Sequence, residues 1–167
     1  MQSAPAAPKK KNTGVIIAVV VVAALVVGCF CTGILSAIAI PAFTGYIRRA
    51  KTVEATSNLR SLARLEQRYC EEHGNWLVPA GPVPVTPTAL KQLGDFASDP
   101  AFTELGFAPA DPIYYSYSIV RDDSATGGIE IIARGDLDGD GVTSTFAVTC
   151  GSGCTCASNP FMENEVE

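Results

Sequence analysis

Histidine and tryptophan occur once each in this 167-residue chain, and aromatic residues make up only 8% of it. The lone histidine, His73, stands in the last turn of a predicted helix, where a cation favours the helix dipole, so it reads as a cap. The chain has no Ser/His/Asp set, no glycine-rich phosphate loop and no HExxH, and it reads as a non-enzyme. Charge is missing in blocks. Val15 to Ile40 contains no charged residue, and Met1 to Gly14 has three lysines and no acid. From Gly74 onward basic residues are scarce, three against thirteen acidic ones, which excludes nucleic acid as a partner.

What is present begins with the uncharged run. As a helix its 26 residues reach about 39 Å, against a hydrocarbon core of about 30 Å. That is a single membrane span. The positive-inside rule does not orient it, because Lys9, Lys10 and Lys11 flank one side and Arg48, Arg49 and Lys51 the other. Four of the six cysteines (Cys70, Cys150, Cys154 and Cys156) lie beyond the span, an even number in a small domain. That usage suits disulfides in an oxidising compartment, so the C-terminal part is expected outside the cytoplasm.

The chain divides into a basic tail or leader (1–14), a transmembrane helix (15–42) and an amphipathic continuation of that helix (43–74). In the continuation Ile47, Ala50, Leu59, Leu62, Glu66 and Tyr69 recur at three- and four-residue steps, and Gly74 supplies a stop. Residues 75–112 hold most of the chain's eleven prolines and read as a connecting region with one short helix near Thr88–Gly94. Three strand candidates follow within 113–150: Ile113–Val120, Gly128–Arg134 and Thr143–Cys150, separated by "DDSATGG" and "GDLDGDG". They make an antiparallel meander of three or four strands, its apolar face laid on the amphipathic helix. Residues 151–167 read as a cysteine-containing acidic loop. The fold class is α+β.

"GILSAIAIPAF", Gly33 to Phe43, resembles the helices of type IV pilins and type II secretion pseudopilins, which typically read G-I-L-A-A-I-A-I-P. Ser36 stands for an alanine. The likeness extends along the helix to Gly74 and, through "LGFAPADPIYYSYSI" and "ARGDLDGDGVTSTF", to the sheet region. It implies a pilin-like fold, a bacterial inner-membrane location with the C-terminal domain periplasmic or extracellular, and assembly with like subunits or other pilins in a filament. It also gives Pro41 a role. The missing N–H costs about 3 kcal/mol in an ordinary helix interior, and in pilin-like proteins the resulting bend lets the helix curve or locally melt as subunits pack. A kink at the bilayer exit accounts for the same proline.

The sequence departs from the family where processing and register are decided. Counting back from Pro41, the leader glycine, the mature Phe and the fifth-residue Glu fall on Val19, Val20 and Ala24. A shifted cleavage after Gly14 would make Val15 the mature start. A third option lies in "LVVGC", where Cys29 has the position of an acylated lipobox cysteine, although the run after it stays apolar. The fourth is an uncleaved anchor, with Cys29 and Cys31 as small apolar residues.

"DLDGDG" puts Asp136, Asp138 and Asp140 at positions 1, 3 and 5 of an EF-type calcium loop, with Gly141 at 6 and the Val142 carbonyl at 7. Position 12 is Ala147, so the bidentate glutamate is missing. Further oxygens would have to come from Thr143, Ser144, Asp122 or Asp123. The same residues also make a hairpin turn with solvated carboxylates. The cysteines allow two disulfides in three connectivities, and a Cys154–Cys156 bridge would be strained. Cys70 bonded into the C-terminal loop would tie sheet to helix, with Cys150 closing a small loop to Cys154 or Cys156. A four-thiolate zinc site is the alternative that an oxidising compartment disfavours.

Two functions follow as expectations. One is a structural or accessory subunit of a type IV pilus or type II secretion-like filament, with the basic helix face (Arg48, Arg49, Arg60, Arg64, Arg68) against an acidic sheet domain. The other is a permanently anchored binding module on the same fold, stabilised by calcium, that never enters a filament.

Overall fold

The computed structural model describes residues 13–122 and 127–163, without the side chains of Thr13 and Pro41. Lys9 to Lys11, Asp123 and the last four residues, on which several expectations above rest, lie outside the described residues. The element order is α1 (Thr13–His73), β1 (Ala80–Val83), α2 (Pro100–Leu105), β2 (Tyr115–Arg121), β3 (Ile129–Gly135), β4 (Ser144–Gly151), β5 (Thr155–Cys156) and β6 (Phe161–Glu163). A 3-10 turn, Phe96–Ser98, precedes α2. The chain is α+β, with one long N-terminal helix and a small antiparallel sheet.

Two compact units divide it, Met1–Thr44 and Gly45–Glu167. In the first, every described side chain from Gly14 to Thr44 is exposed. The run is rich in Val and Ile, whose branched side chains weaken a helix in water. In hydrocarbon a lone segment satisfies its backbone only as a helix, and this one is apolar enough to cross a membrane. Its hydroxyls are satisfied in the same way: Thr32 donates to the Gly28 carbonyl and Ser36 to the Thr32 carbonyl, each at 2.8 Å. Helical backbone runs through Pro41 without a break.

In the second unit, α1 from Gly45 to His73 is the spine of the core. Ala55, Leu59, Leu62, Ala63, Glu66 and Cys70 are buried, a stripe at three- and four-residue steps. Ile47 and Ala50, which the same period placed on the stripe, are exposed; the buried face begins at Thr52. Opposite lie alternate residues of the sheet: Tyr115, Tyr117 and Ile119 on β2, Ile129, Ile131 and Ala133 on β3, Phe146, Val148 and Cys150 on β4. The register is regular from Tyr115↔Gly135 to Arg121↔Ile129 and from Ile129↔Cys150 to Gly135↔Ser144.

The connecting region is more structured than its prolines suggest. The stretch near Thr88–Gly94 is not helical; Gln92 bridges to Ile113 instead, and the helix comes later, as α2. Asp99 starts α2 by accepting from the Ala101 and Phe102 amides at 2.9 and 3.2 Å, with Pro100 at the first helical position. Phe96, Phe102 and Phe107 then meet edge to face under Tyr117. β1 joins the sheet beside β2 despite Pro82, because an edge strand needs no N–H on its outer side. Gly81 has φ +72°, and a Cβ there would run into the Tyr117 carbonyl.

The C-terminal loop is likewise replaced by strands. β5 pairs with one end of β4 (Cys150↔Cys156) and β6 with the other (Thr145↔Glu163, Ala147↔Phe161). The sheet therefore has six strands, in the order β1-β2-β3-β4-β5 with β6 also on β4.

Candidate functional site

The acidic turn joins β3 to β4. Leu137, buried at 4% exposure, pins it to the core, which sends the neighbouring carboxylates outward. Gly139 and Gly141 have φ of +83° and +88°, a conformation glycine adopts without steric cost. The carboxylates hold the turn. Asp136 Oδ1 accepts from the Gly139 amide at 2.7 Å and its Oδ2 from the Gly141 amide at 3.2 Å. Asp140 Oδ1 accepts from the Val142 amide at 2.7 Å. Arg48 on α1 reaches Asp138, Nη2 to Oδ2 at 3.1 Å, which offsets part of the local negative charge.

One ligand oxygen from each of Asp136, Asp138 and Asp140 falls within 4.8 Å of the others. Three carboxylates at that separation are a donor set for a hard cation, through lone pairs the amides leave open. The expected additional ligands are not assembled. Ser144 is buried, its hydroxyl donating to the Gly135 carbonyl at 3.2 Å. Asp122 follows Arg121, which pairs with Ile129 at the far end of the sheet from this turn. Ala147 lies in mid-strand on β4. Thr143 is half-buried next to the turn.

The four distal cysteines form Cys70–Cys154 and Cys150–Cys156, with Cα atoms 5.5 and 3.9 Å apart. The first fastens the end of α1 to the C-terminal segment, and the second joins neighbouring strands. All four sulfurs are so consumed, and no thiolate is left among them for zinc. Cys29 and Cys31 are free and exposed. His73 Nδ1 lies 3.0 Å from the Tyr69 carbonyl in the last turn of α1.

Glu66 is the residue whose chemistry the periodicity concealed. It occupies a stripe position and is fully buried; Oε2 accepts from the Leu77 amide at 3.2 Å, while Oε1 has no partner among the described residues. Burial raises its pKa to about 7, and the Leu77 hydrogen bond only partly opposes the shift. A carboxylate counted within an apolar stripe was itself the signal. Glu54, one face away, is better served. Its Oε1 accepts from the Tyr114 and Tyr115 amides at 2.8 and 3.3 Å, tying α1 to the start of β2.

Compared with protein-family models, curated proteins and solved structures, the chain matches none.

Proposed function

We propose that the chain is a pilin-like structural or accessory subunit of a type IV pilus or type II secretion-like filament. One observation carries the reading. A helix that is uncharged, predominantly apolar and exposed from Val15 to Ile40 continues, within the same element, as the core spine of a disulfide-tied antiparallel sheet domain. This is the element order that "GILSAIAIPAF" implies. The disulfides favour a sheet domain in the periplasm or outside the cell. Its role is assembly and not catalysis.

A second reading keeps the fold and removes the filament. Val19, Val20 and Ala24 stand where processing and register residues belong, which favours an anchor that is never cleaved. The protein is then a membrane-held binding module whose acidic turn takes calcium as a rigidifying ion. Intact mass and N-terminal sequence of the protein from its native membranes separate the two. A start at Val15 supports the filament subunit, and a start at Met1 the fixed anchor. An acylated Cys29 overturns both.

A further inference from the structure

Arg60 and Arg64 stand one turn apart on the exposed side of α1, and among the described residues no carboxylate pairs with either. Both line a groove of about 330 Å³ between α1 and the segment that follows β5, with Gln67, Ala157 and Ser158 also on its walls. Arg64 Nε donates to the Arg60 carbonyl at 3.1 Å, which orients its guanidinium. Gln67 donates to the Cys154 carbonyl at 3.4 Å, and the Ala157 amide to the Thr149 carbonyl at 2.8 Å. The wall facing the arginines is thereby fastened to both helix and sheet. Among the described residues that line the groove none is acidic. A trough of this make-up takes carboxylates, each as a charge-assisted pair with a guanidinium.

The same domain carries exposed carboxylates at its opposite end. The groove lies beside Cys156, which pairs with Cys150, and Cys150 in turn pairs with Ile129 at the start of β3. The Asp136–Asp140 turn leaves β3 at its other end, after Gly135, and the strand between is about 20 Å long. The helix gives the same figure. Arg48 holds Asp138, and from Arg48 to Arg60 and Arg64 α1 advances about 18 and 24 Å. The turn cannot reach the groove of its own domain.

The two patches nevertheless fit in charge and spacing. Asp138 and Asp140 are exposed at the tip of the turn, with ligand oxygens within 4.8 Å of each other. Arg60 and Arg64 are set about 6 Å apart along the helix, a difference that their long stems absorb. Arg48 offsets one of the turn's three carboxylates, which leaves the tip net negative.

We propose that the groove at Arg60 and Arg64 receives the Asp138–Asp140 tip of the acidic turn of a second copy of this chain. The proposal rests on the reading of the protein as a self-assembling subunit, and it names the contact. Two different patches meet, so the interface is heterologous. Each copy keeps a free turn at one end and a free groove at the other, and association is open-ended unless the rotation closes a ring. With their helices parallel, successive copies are displaced by about 20 Å along α1.

The test uses the full chain in detergent micelles and sedimentation velocity at low salt, without calcium. R60E/R64E and D138R/D140R are each expected to weaken self-association at least tenfold. An equimolar mixture of the two is expected to restore it, because the reversed turn fits the reversed groove. Emission from buried Trp76 reports that each variant is folded. Where reversal disturbs the fold, R60Q/R64Q and D138N/D140N replace it, each expected to weaken association at least threefold. Association insensitive to both sets overturns the contact and leaves the assembly reading standing. So does loss with one set alone, or loss with both that mixing the reversed variants does not repair. A wild-type chain that stays monomeric overturns the assembly reading and this contact with it.

Discussion

Replacing Glu66 by glutamine is expected to make the sheet domain more stable above neutral pH and slightly less stable in acid. The folded pKa of about 7 exceeds the ordinary carboxyl value of 4.5, so the folded protein holds this proton more tightly than the unfolded chain does. Stability from this group is complete below about pH 4.5 and is lost as pH rises through about 7. Two and a half pKa intervals at ~1.4 kcal/mol each amount to about 3 kcal/mol lost by pH 8. Glutamine keeps an oxygen for the Leu77 amide and cannot ionise. Its NH2 enters a buried site without a partner, which costs about 1 kcal/mol. The net gain at pH 8 is then ~2 kcal/mol, turning into a net loss of about 0.5–1 kcal/mol at pH 4.5, where the amide cost remains and the ionisation penalty has almost vanished. Tyr69, the ionisable neighbour one turn on, has a pKa raised first by desolvation and then by Glu104, and it keeps its proton throughout the window. Glu54, also raised by burial, is common to both proteins and drops out of the difference. Urea unfolding of the detergent-solubilised protein at pH 4.5, 6 and 8 measures the effect through Trp76, which adjoins Leu77. A difference between wild type and E66Q that is the same at all three pH values would refute the reasoning.

The two disulfides close very different loops, 84 and 6 residues in separation, so C70A/C154A is expected to cost about 4.5 kcal/mol and C150A/C156A about 2. Equal shifts in urea midpoint would contradict a loop-entropy origin. Gly81→Ala combines a left-handed backbone with a clash against the Tyr117 carbonyl and should cost more than ~2 kcal/mol, measured the same way. Calcium at 10 mM is expected to stabilise the protein by about 1–3 kcal/mol if the turn binds in the 0.1–1 mM range of weak extracellular sites. Asp136→Asn should abolish that gain; no melting shift in wild type would leave the turn to Arg48 and its own amides.

The helix and the central sheet were legible because their signals are local. A run without charge, a three-four apolar step and alternating β-branched or aromatic residues each report a period that the backbone imposes. The short outer strands carried no such signal. β1 is "AGPV" and β6 is "FME", sequences that become strands only because β2 and β4 offer free edges to pair with. Ile47 and Ala50 continue the helical period past the point where there is a sheet to cover them. At the acidic turn the clustering of Asp136, Asp138 and Asp140 followed from spacing. The commitment of Ser144 to the Gly135 carbonyl did not, since it depends on strand register. Cysteine pairing depends on tertiary distance in the same way, and Glu66 was visible as a position but not as a buried charge.

β1 and the β5–β6 side bear on a collective property. On the proposed reading, a helix apolar enough to cross a membrane confines copies to two dimensions, where encounters between sheet edges become frequent. One edge here is four residues long with Pro82 lacking its donor. The other is broken between Cys156 and Phe161. Among the described residues neither edge offers a strand as long as β2, β3 or β4, so on the proposed reading crowding would not turn into cross-strand polymerisation. On that reading, contact between copies is left to side chains, which salt can screen and which can be undone.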